Sequence, residues 1–294
     1  MNSRRCVLVP LLAMLAGCGG VPPEPVPSRA PSSVIASSPR ASATAEASPA
    51  SPSEAAPTSS ASPSPERPSA AAPTASASRS PSAVTRPLGH LGPLKPADFS
   101  STVDNQWFPL VPGASWTLLG VKDRKRAEDV FTVLPTTEVV AGVECVIVSD
   151  DLSLNGVPTE RTTAYFARHR DGSVWFFGED IHHLNSKGQV ISLDGSWRAG
   201  LDRAVPGLMM PAHPKVGDAF DQKTAHAHFE VLAVAKPVEV PAGAFPKTLV
   251  IEESDSSEPG IKARKFYAPS IGEVRDVSVG GPLEEMKLFE FRRP

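Results

Sequence analysis

Short runs of β-branched and aromatic residues follow one another from about residue 96 onward, separated by turn residues. In the run 143–147, one face carries Val143, Cys145 and Ile147, which is the period of two that a half-buried strand requires. No long window shows the 3.6-residue period of a helix, and proline is scattered throughout. The pattern predicts strands at Ser115–Leu119, Asp129–Leu134, Val143–Ser149, Thr162–His169, Val174–Gly178, Gln189–Leu193, His226–Val234, Thr248–Glu253, Ala263–Ala268, Glu273–Val279 and Glu285–Phe291.

We therefore predict an all-β fold, with an antiparallel curved sheet, sandwich or open barrel of about 10–12 strands. Two short motifs of the sequence also recur at a spacing of 101 residues. Val139-Val140-Ala141-Gly142 is matched by Val240-Pro241-Ala242-Gly243, and Tyr165-Phe166-Ala167 by Phe266-Tyr267-Ala268. This spacing predicts two related halves.

The residues before this region cannot supply a core. All 18 aromatic residues lie between Phe99 and Phe291, whereas residues 18–95 are rich in Pro, Ser, Ala and Thr. That composition is typical of a disordered tether. Residues 1–17 have the layout of a signal peptide, with Arg4 and Arg5 before an apolar run that falls short of the roughly 20 residues needed to span a bilayer. The predicted domain is residues 96–294.

The segment Leu15-Ala16-Gly17-Cys18 resembles the lipobox of bacterial lipoproteins. The resemblance implies cleavage before Cys18, acylation of its sulfur and a lipid anchor in the cell membrane, outside the cytoplasm. In a cell with two membranes, Gly19 favours the outer membrane, because it is not the aspartate expected for inner-membrane retention. The alternative is an ordinary signal peptide cut nearby, which would leave Cys18 as a free thiol.

A second resemblance covers roughly residues 98–294. It is carried by the segment from Asp104-Asn105-Gln106-Trp107-Phe108 to Gly113, by Val174-Trp175-Phe176-Phe177-Gly178-Glu179-Asp180 and by Tyr267-Ala268-Pro269. These phrases resemble an uncharacterised family of secreted bacterial β domains. The resemblance implies that the domain is exported and has a β fold. It implies no activity, cofactor or catalytic residue.

Charge and cysteine content narrow the function further. Residues 96–294 contain 21 basic and 28 acidic residues, and this net charge of −7 argues against a nucleic-acid surface. Once residues 1–17 are removed and Cys18 is acylated, only Cys145 remains, so no intrachain disulfide is expected. Cys145 lies among valines and is interpreted as an inert core thiol.

Histidines form the first candidate site, a zinc or copper site. On a strand, His226 and His228 would point to the same face and could share a metal ion. The candidate ligands are His182, His183, His213, His226 and His228, with Asp218 or Asp221 and the soft donors Met209 and Met210 as additions. The alternative is a set of solvated strand histidines.

Two acidic pairs, Glu179-Asp180 and Glu252-Glu253, could serve acid–base catalysis in an envelope hydrolase. Neighbouring strand residues face opposite ways, however, so neither pair aims easily at one substrate. The segment 151–156 imitates half of a calcium loop, but Thr162 stands where a glutamate is required, so a hairpin loop is expected. The sequence contains no established catalytic motif.

Aromatic side chains supply the last candidate. Trp107, Phe108, Trp175 and Trp197 could line a groove for an apolar or sugar ligand, or the segment Asp104–Gly113 could form a lid at one end of the sheet.

The sequence as a whole favours a membrane-anchored, non-catalytic β module that binds a ligand or an envelope or cell-wall partner and uses no cofactor. A metal-binding protein and an envelope hydrolase are the alternatives. The ligand, the partner and the oligomeric state are not determined by the sequence.

Overall fold

The computed structural model describes residues 88–258 and 260–294. The predicted signal peptide, Cys18 and most of the predicted tether lie outside these residues. Within them, no helix is long and apolar enough to cross a membrane. The elements are a 3-10 helix at Pro96–Asp98 and the strands β1 (Phe99–Ser100), β2 (Val103–Asp104), β3 (Pro109–Leu110), β4 (Ser115–Lys122), β5 (Lys125–Val140), β6 (Val143–Leu154), β7 (Val157–His169), β8 (Val174–Leu184), β9 (Val190–Ser192), β10 (Trp197–Arg198), β11 (Gly207–Met210), β12 (Ala219–Gln222), β13 (Ala227–Val240), β14 (Gly243–Asp255), β15 (Lys262–Ala268), β16 (Gly272–Gly280) and β17 (Glu285–Arg292).

Fifteen strands form one antiparallel sheet, which confirms the predicted all-β class. Twelve of them follow one another in the order β10-β8-β7-β6-β5-β4-β17-β16-β15-β14-β13-β12, while β9 and β11 pair with β8, and β1 pairs with β7. Strands β4–β8 and β12–β17 are two meanders, and the ladder between β4 and β17 joins them. The fold is therefore a single curved sheet rather than a sandwich.

The two meanders share their irregularities as well as their topology. The β5–β6 register shifts between Val133 and Thr137, and the β13–β14 register shifts between Val231 and Val238. Each of these stretches contains a proline, which cannot donate a ladder hydrogen bond and is tolerated at a bulge. The shift between Tyr165 and Phe166 likewise recurs between Phe266 and Tyr267. Bulges at equivalent places support the two related halves that the repeated motifs predict.

The two ends of the sheet meet without a strand ladder, at a contact that we call the seam (residues 205–210 against 220–224). There the side-chain amide of Gln222 donates to the Leu208 carbonyl at 2.8 Å, and the Thr224 hydroxyl bonds to the Val205 backbone at 3.0 Å. Gly207 permits this approach, because a Cβ at that position would lie 2.6 Å from Gln222 Cγ. The sheet therefore stays open, with its ends held by side chains.

Residues 103–110 cover one end of the sheet, as the lid interpretation predicts. Asn105 fixes the turn between β2 and β3: its Oδ1 accepts the backbone N–H of Trp107 at 2.9 Å, and its Nδ2 donates to the Gly172 carbonyl at 3.0 Å. The turn delivers Phe108 into the core, with ring centroids 5.4 Å from Phe166 and 6.4 Å from Tyr267. The lid thus packs against equivalent aromatic residues of both halves.

Candidate functional site

Ten ionisable side chains and one threonine hydroxyl project into the interior of the sheet from nine neighbouring strands or their ends. We call this set the interior belt. All of its members are buried. They are Lys122 of β4, Asp129 of β5, Asp150 of β6, Glu160 and Thr162 of β7, Glu179 of β8, Glu253 of β14, Lys265 of β15, Glu273 and Asp276 of β16, and Glu284 just before β17.

Strand alternation explains why these charges point inward. Asp129 lies two residues from Ala127 and Phe131, which are core residues on the same face of β5. Glu253 continues the inward row of Leu249 and Ile251 along β14. Polar and apolar side chains therefore share one face, and the belt borders the apolar core beneath the lid.

Only some side chains of the belt form ion pairs or hydrogen bonds with other protein groups. The Lys265 ammonium lies 3.1 Å from Glu253 Oε2, and both side chains are almost wholly buried. His183 Nδ1 lies 3.1 Å from Glu160 Oε2. The indole N–H of Trp197 donates to Glu179 Oε1 at 3.3 Å.

Several belt atoms are buried with no hydrogen-bond partner within the protein. They are Lys122 Nζ, Asp129 Oδ1, Glu179 Oε2, Glu253 Oε1, Glu273 Oε1 and Oε2, and Asp276 Oδ1. An unsatisfied buried polar atom costs about 1–3 kcal/mol, and more when it is charged. Such a group of atoms is the strongest indication of a functional site in the described chain.

Burial shifts the pKa values of the belt. Desolvation raises the pKa of Asp150, Glu179 and Glu273 well above the ordinary range of carboxyl groups. Burial acts to lower the pKa of Lys265, but the surrounding Glu253, Glu273 and Asp276 raise it overall. The two buried lysines therefore lie among carboxyl groups that resist ionisation. Desolvation also raises the pKa of the remaining belt acids Asp129, Glu160, Glu253, Asp276 and Glu284.

These shifts predict that the protein becomes more stable as the pH falls from 8 to about 5. A carboxyl group whose pKa is raised on folding contributes stability that is full below its ordinary pKa of about 4, and that stability is lost as the pH rises through the raised value. Urea unfolding of the full chain at several pH values in this window measures the effect. A free energy of unfolding that stays level or falls towards pH 5 would contradict the raised values.

Comparison with known proteins found similarity to two solved structures. No family model and no curated protein matches the chain. The chain is structurally similar to a "putative exported protein with YmcC-like fold" of Bacteroides fragilis, at 15% identity and a TM-score of 0.37, over 64% of this chain and 100% of that one. It is also similar to a "putative lipoprotein" of Parabacteroides distasonis, at 12% identity and a TM-score of 0.37, over 64% and 99% of the two chains. This similarity concerns the fold and assigns no ligand.

The histidines of the metal hypothesis lie in different surroundings. His226 has a φ of 55° in the turn before β13, so it does not share a strand face with His228, contrary to the prediction. His228 Nδ1 instead lies 2.7 Å from Asp221 Oδ1. His213 lines a cleft of about 540 Å³ beside residues 88–95, whereas His226 lines a separate cleft. His182 and His183 are neighbours on β8 and so face opposite ways.

Across residues 88–258 and 260–294, no group of three or more His, Cys, Asp or Glu side chains is arranged to hold a metal ion. The described structure therefore offers no support for a zinc or copper site, which stays a prediction from the sequence alone.

The four aromatic residues of the groove hypothesis do not line one groove. Trp107 and Phe108 belong to the lid, and both are buried in the core. The indole of Trp175 donates to the Ser173 hydroxyl at 2.9 Å and borders the cleft of residues 88–95. Trp197 packs edge-on against Phe176. Their main role in the described structure is packing.

The acidic pairs face opposite sides of the sheet, as strand alternation predicts. Glu179 is inside, while Asp180 on the outer face bonds to the Tyr165 hydroxyl at 2.7 Å and pairs with Arg198. Glu252 is outside, where it pairs with Lys262 and Arg264 at 3.0 Å, while Glu253 is inside. Neither pair can therefore place both of its carboxyl groups at one substrate.

The sequence reasoning considered Glu179 and Glu253 but missed the belt to which they belong. The sequence did contain a signal, because charged residues occupy positions that the alternation of apolar and polar residues assigns to the inward face of several strands. Asp129, which lies between Ala127 and Phe131 on that face, is an example. Without the strand order, those positions could not be placed around one interior.

Proposed function

We propose that this chain is an exported, lipid-anchored envelope protein that binds a small polar ligand inside its curved sheet and catalyses no reaction. The observation that carries the proposal is the set of unpaired, buried polar atoms in the interior belt. Glu273 is the sharpest case, since both of its carboxyl oxygens lack a protein partner while the side chain is 8% exposed. A ligand that supplies hydrogen-bond donors there would recover free energy that the protein alone forgoes.

The size of the sheet supports an interior site. Barrels of about eight strands have interiors that side chains fill or that hold one small ligand. Here twelve strands follow one another before the ends meet at the seam. The space that Glu273 lines beneath the lid is about 30 Å³, so a ligand larger than a water molecule needs the sheet to open. The lid covers one end of the sheet, and the seam is held only by side-chain contacts such as Gln222 to Leu208. Parting of the seam would give a ligand a route to the belt.

Binding fits the belt better than catalysis does. Its carboxyl groups come from many strands and surround two lysines, and the neighbouring acids that could have acted together are divided between the two faces of the sheet. The one cysteine in the described chain, Cys145, is fully buried, and burial raises its pKa to about 12, so it is unsuited to act as a nucleophile.

Export and anchoring rest on the sequence. The lipobox-like Leu15-Ala16-Gly17-Cys18 implies an acylated cysteine, and residues 18–95 have the composition of a tether that carries the domain away from the membrane. The intact mass of the protein extracted from its membrane checks this part directly. We expect a chain that begins at Cys18 and carries acyl groups, and an unacylated chain that begins at Met1 would contradict it.

Native mass spectrometry tests the binding role. The full chain is extracted from its own organism with a mild detergent and measured intact. We expect a stoichiometric small molecule on the wild-type protein, and a clear loss of occupancy in Glu273→Gln. This change keeps the shape of the side chain and removes no protein hydrogen bond.

Glu252→Gln is the matched control, because Glu252 lies on the outer face and pairs there with Lys262 and Arg264. It should retain the bound molecule. A wild-type protein that carries no small molecule, or equal occupancy in the two variants, would argue against a ligand at the belt.

A further inference from the structure

We propose that the ligand of the interior belt is an organic molecule carrying two or more ammonium groups. This inference rests on the proposed function and names the chemical class of its ligand. Three features of the belt carry it: an excess of acids, their spread over both halves of the sheet, and the kind of atom left unpaired.

The belt has far more acids than bases. Eight buried carboxyl groups face two buried lysines. The Lys265 ammonium is committed to Glu253 at 3.1 Å. The ammonium of Lys122 makes no hydrogen bond. A cationic ligand would offset this excess, whereas an anionic ligand would add to it.

The acids are spread over both halves of the sheet, around two lysines. Lys122 interacts electrostatically with carboxyl groups of β5, β6, β7, β16 and the residue before β17, namely Asp129, Asp150, Glu160, Asp276 and Glu284. Lys265 interacts with Glu253, Glu273 and Asp276. Asp129 and Asp276 each interact with both lysines, and Glu179 interacts with Glu160 of the first half and Glu253 of the second, so one continuous belt joins the two halves. A molecule with separated ammonium groups would engage both.

The unpaired atoms of the belt favour a ligand that supplies hydrogen-bond donors. Six of the seven are carboxyl oxygens, and the remaining one is Lys122 Nζ. An ammonium group has three N–H donors and no acceptor, so it complements carboxylates directly. A sugar hydroxyl supplies one donor where an ammonium supplies three, and it brings no charge to offset the excess of acids. A bare metal ion is not favoured either, since the described residues contain no group of His, Cys, Asp and Glu arranged to hold one.

Isothermal titration of the full chain with spermidine, a molecule with three amines, tests the class. Tetraethylene glycol serves as a neutral chain molecule of comparable length. We expect saturable binding of one spermidine and none of the glycol. Because desolvation raises the pKa of the belt carboxyl groups, an incoming ammonium should displace protons. The affinity should therefore increase from pH 5 to pH 8, and the heat should depend on the ionisation enthalpy of the buffer.

Two variants locate the binding. Glu273→Gln removes a buried ionisable carboxyl group without breaking a protein hydrogen bond, and we expect its affinity to be weaker by about ten-fold or more. Glu252→Gln on the outer face should bind like the wild type. Thermal unfolding of each variant establishes that it is folded before titration.

The outcomes separate the two proposals. If the extracted protein carries a neutral or anionic molecule and spermidine does not bind, the ligand class is wrong and the binding role stands. If spermidine binds equally to both variants, it binds to the acidic exterior, and the class is again wrong. If neither an endogenous molecule nor spermidine binds, both proposals fail.

Discussion

Replacing Lys265 with methionine is expected to lower the free energy of unfolding by about 3–5 kcal/mol. The Lys265 ammonium lies 3.1 Å from Glu253 in the interior, and both side chains are almost wholly buried. Its removal leaves Glu253 beside Glu273 and Asp276 with no cation in direct contact. Urea unfolding of the wild type and the variant measures the difference.

The neighbouring residue provides the control. Arg264 makes a similar pair with Glu252 at 3.0 Å, but on the outer face, where its side chain is 44% exposed. Arg264→Met should cost no more than about 1 kcal/mol, since solvent screens an exposed pair. Equal losses from the two substitutions would mean that Lys265 is not in a desolvated interior. Adding Glu253→Gln to Lys265→Met should recover part of the loss, because it removes the stranded charge.

Replacing Phe108 with alanine is expected to cost about 3–5 kcal/mol, the range for a large aromatic residue removed from a core. Phe108 is 4% exposed and contacts Phe166 of the first half and Tyr267 of the second. The substitution therefore weakens the contact of the lid with both meanders at once. The measurement is the same urea unfolding experiment.

Phe289 on β17 is the matched control, because it is 53% exposed. Phe289→Ala should change the free energy of unfolding by about 0.5 kcal/mol or less. A loss for Phe108→Ala as small as this would show that residues 103–110 lie loosely on the sheet and do not form its lid.

Much of the fold follows from the alternation of apolar and polar residues. Every predicted strand is present, and the hairpin between β7 and β8 closes where the Gly172 N–H donates to the His169 carbonyl at 2.9 Å. The predicted count of about 10–12 strands matches the twelve of the main path. Period-two patterning is strong in such strands because one face meets the core.

The lengths of the strands were predicted poorly, and proline is the reason. The prediction ended the second strand at Leu134, whereas β5 continues through Pro135 to Val140. The bulge between Val133 and Thr137 accommodates this proline without a ladder hydrogen bond. Pro237 in β13 repeats the same arrangement. A proline within a sequence pattern gives no sign of whether it ends a strand or occupies a bulge.

The short strands that line the seam were not predicted at all. Strands β11 and β12 have four residues each, and the Gln222 amide donates to the Leu208 carbonyl, a contact that no periodicity reveals. The candidate site was missed for a related reason. Its carboxyl groups are scattered from Asp129 to Glu284, and only the joining of β4 to β17 places them around one interior.

Residues 88–95 show where the predicted tether meets the domain. Leu91 and Leu94 pack against the core, and residues 88–93 form one wall of the cleft that also contains His213. The boundary at residue 95 came from composition, which records where proline and serine become less frequent. Composition does not record which leucines pack against the folded domain.

The central claim is that the interior belt contains desolvated carboxyl groups, several of whose oxygens lack protein partners. A pH titration of the full chain followed by carbon-13 NMR of the Asp and Glu carboxyl groups tests it most directly. We expect a set of carboxyl signals, assigned to residues such as Glu179 and Glu273, that titrate well above the ordinary values of about 4, while Glu252 titrates below them. Ordinary midpoints for Glu179 and Glu273 would show that water reaches the interior freely, and the account of the belt as a buried binding site would then be wrong.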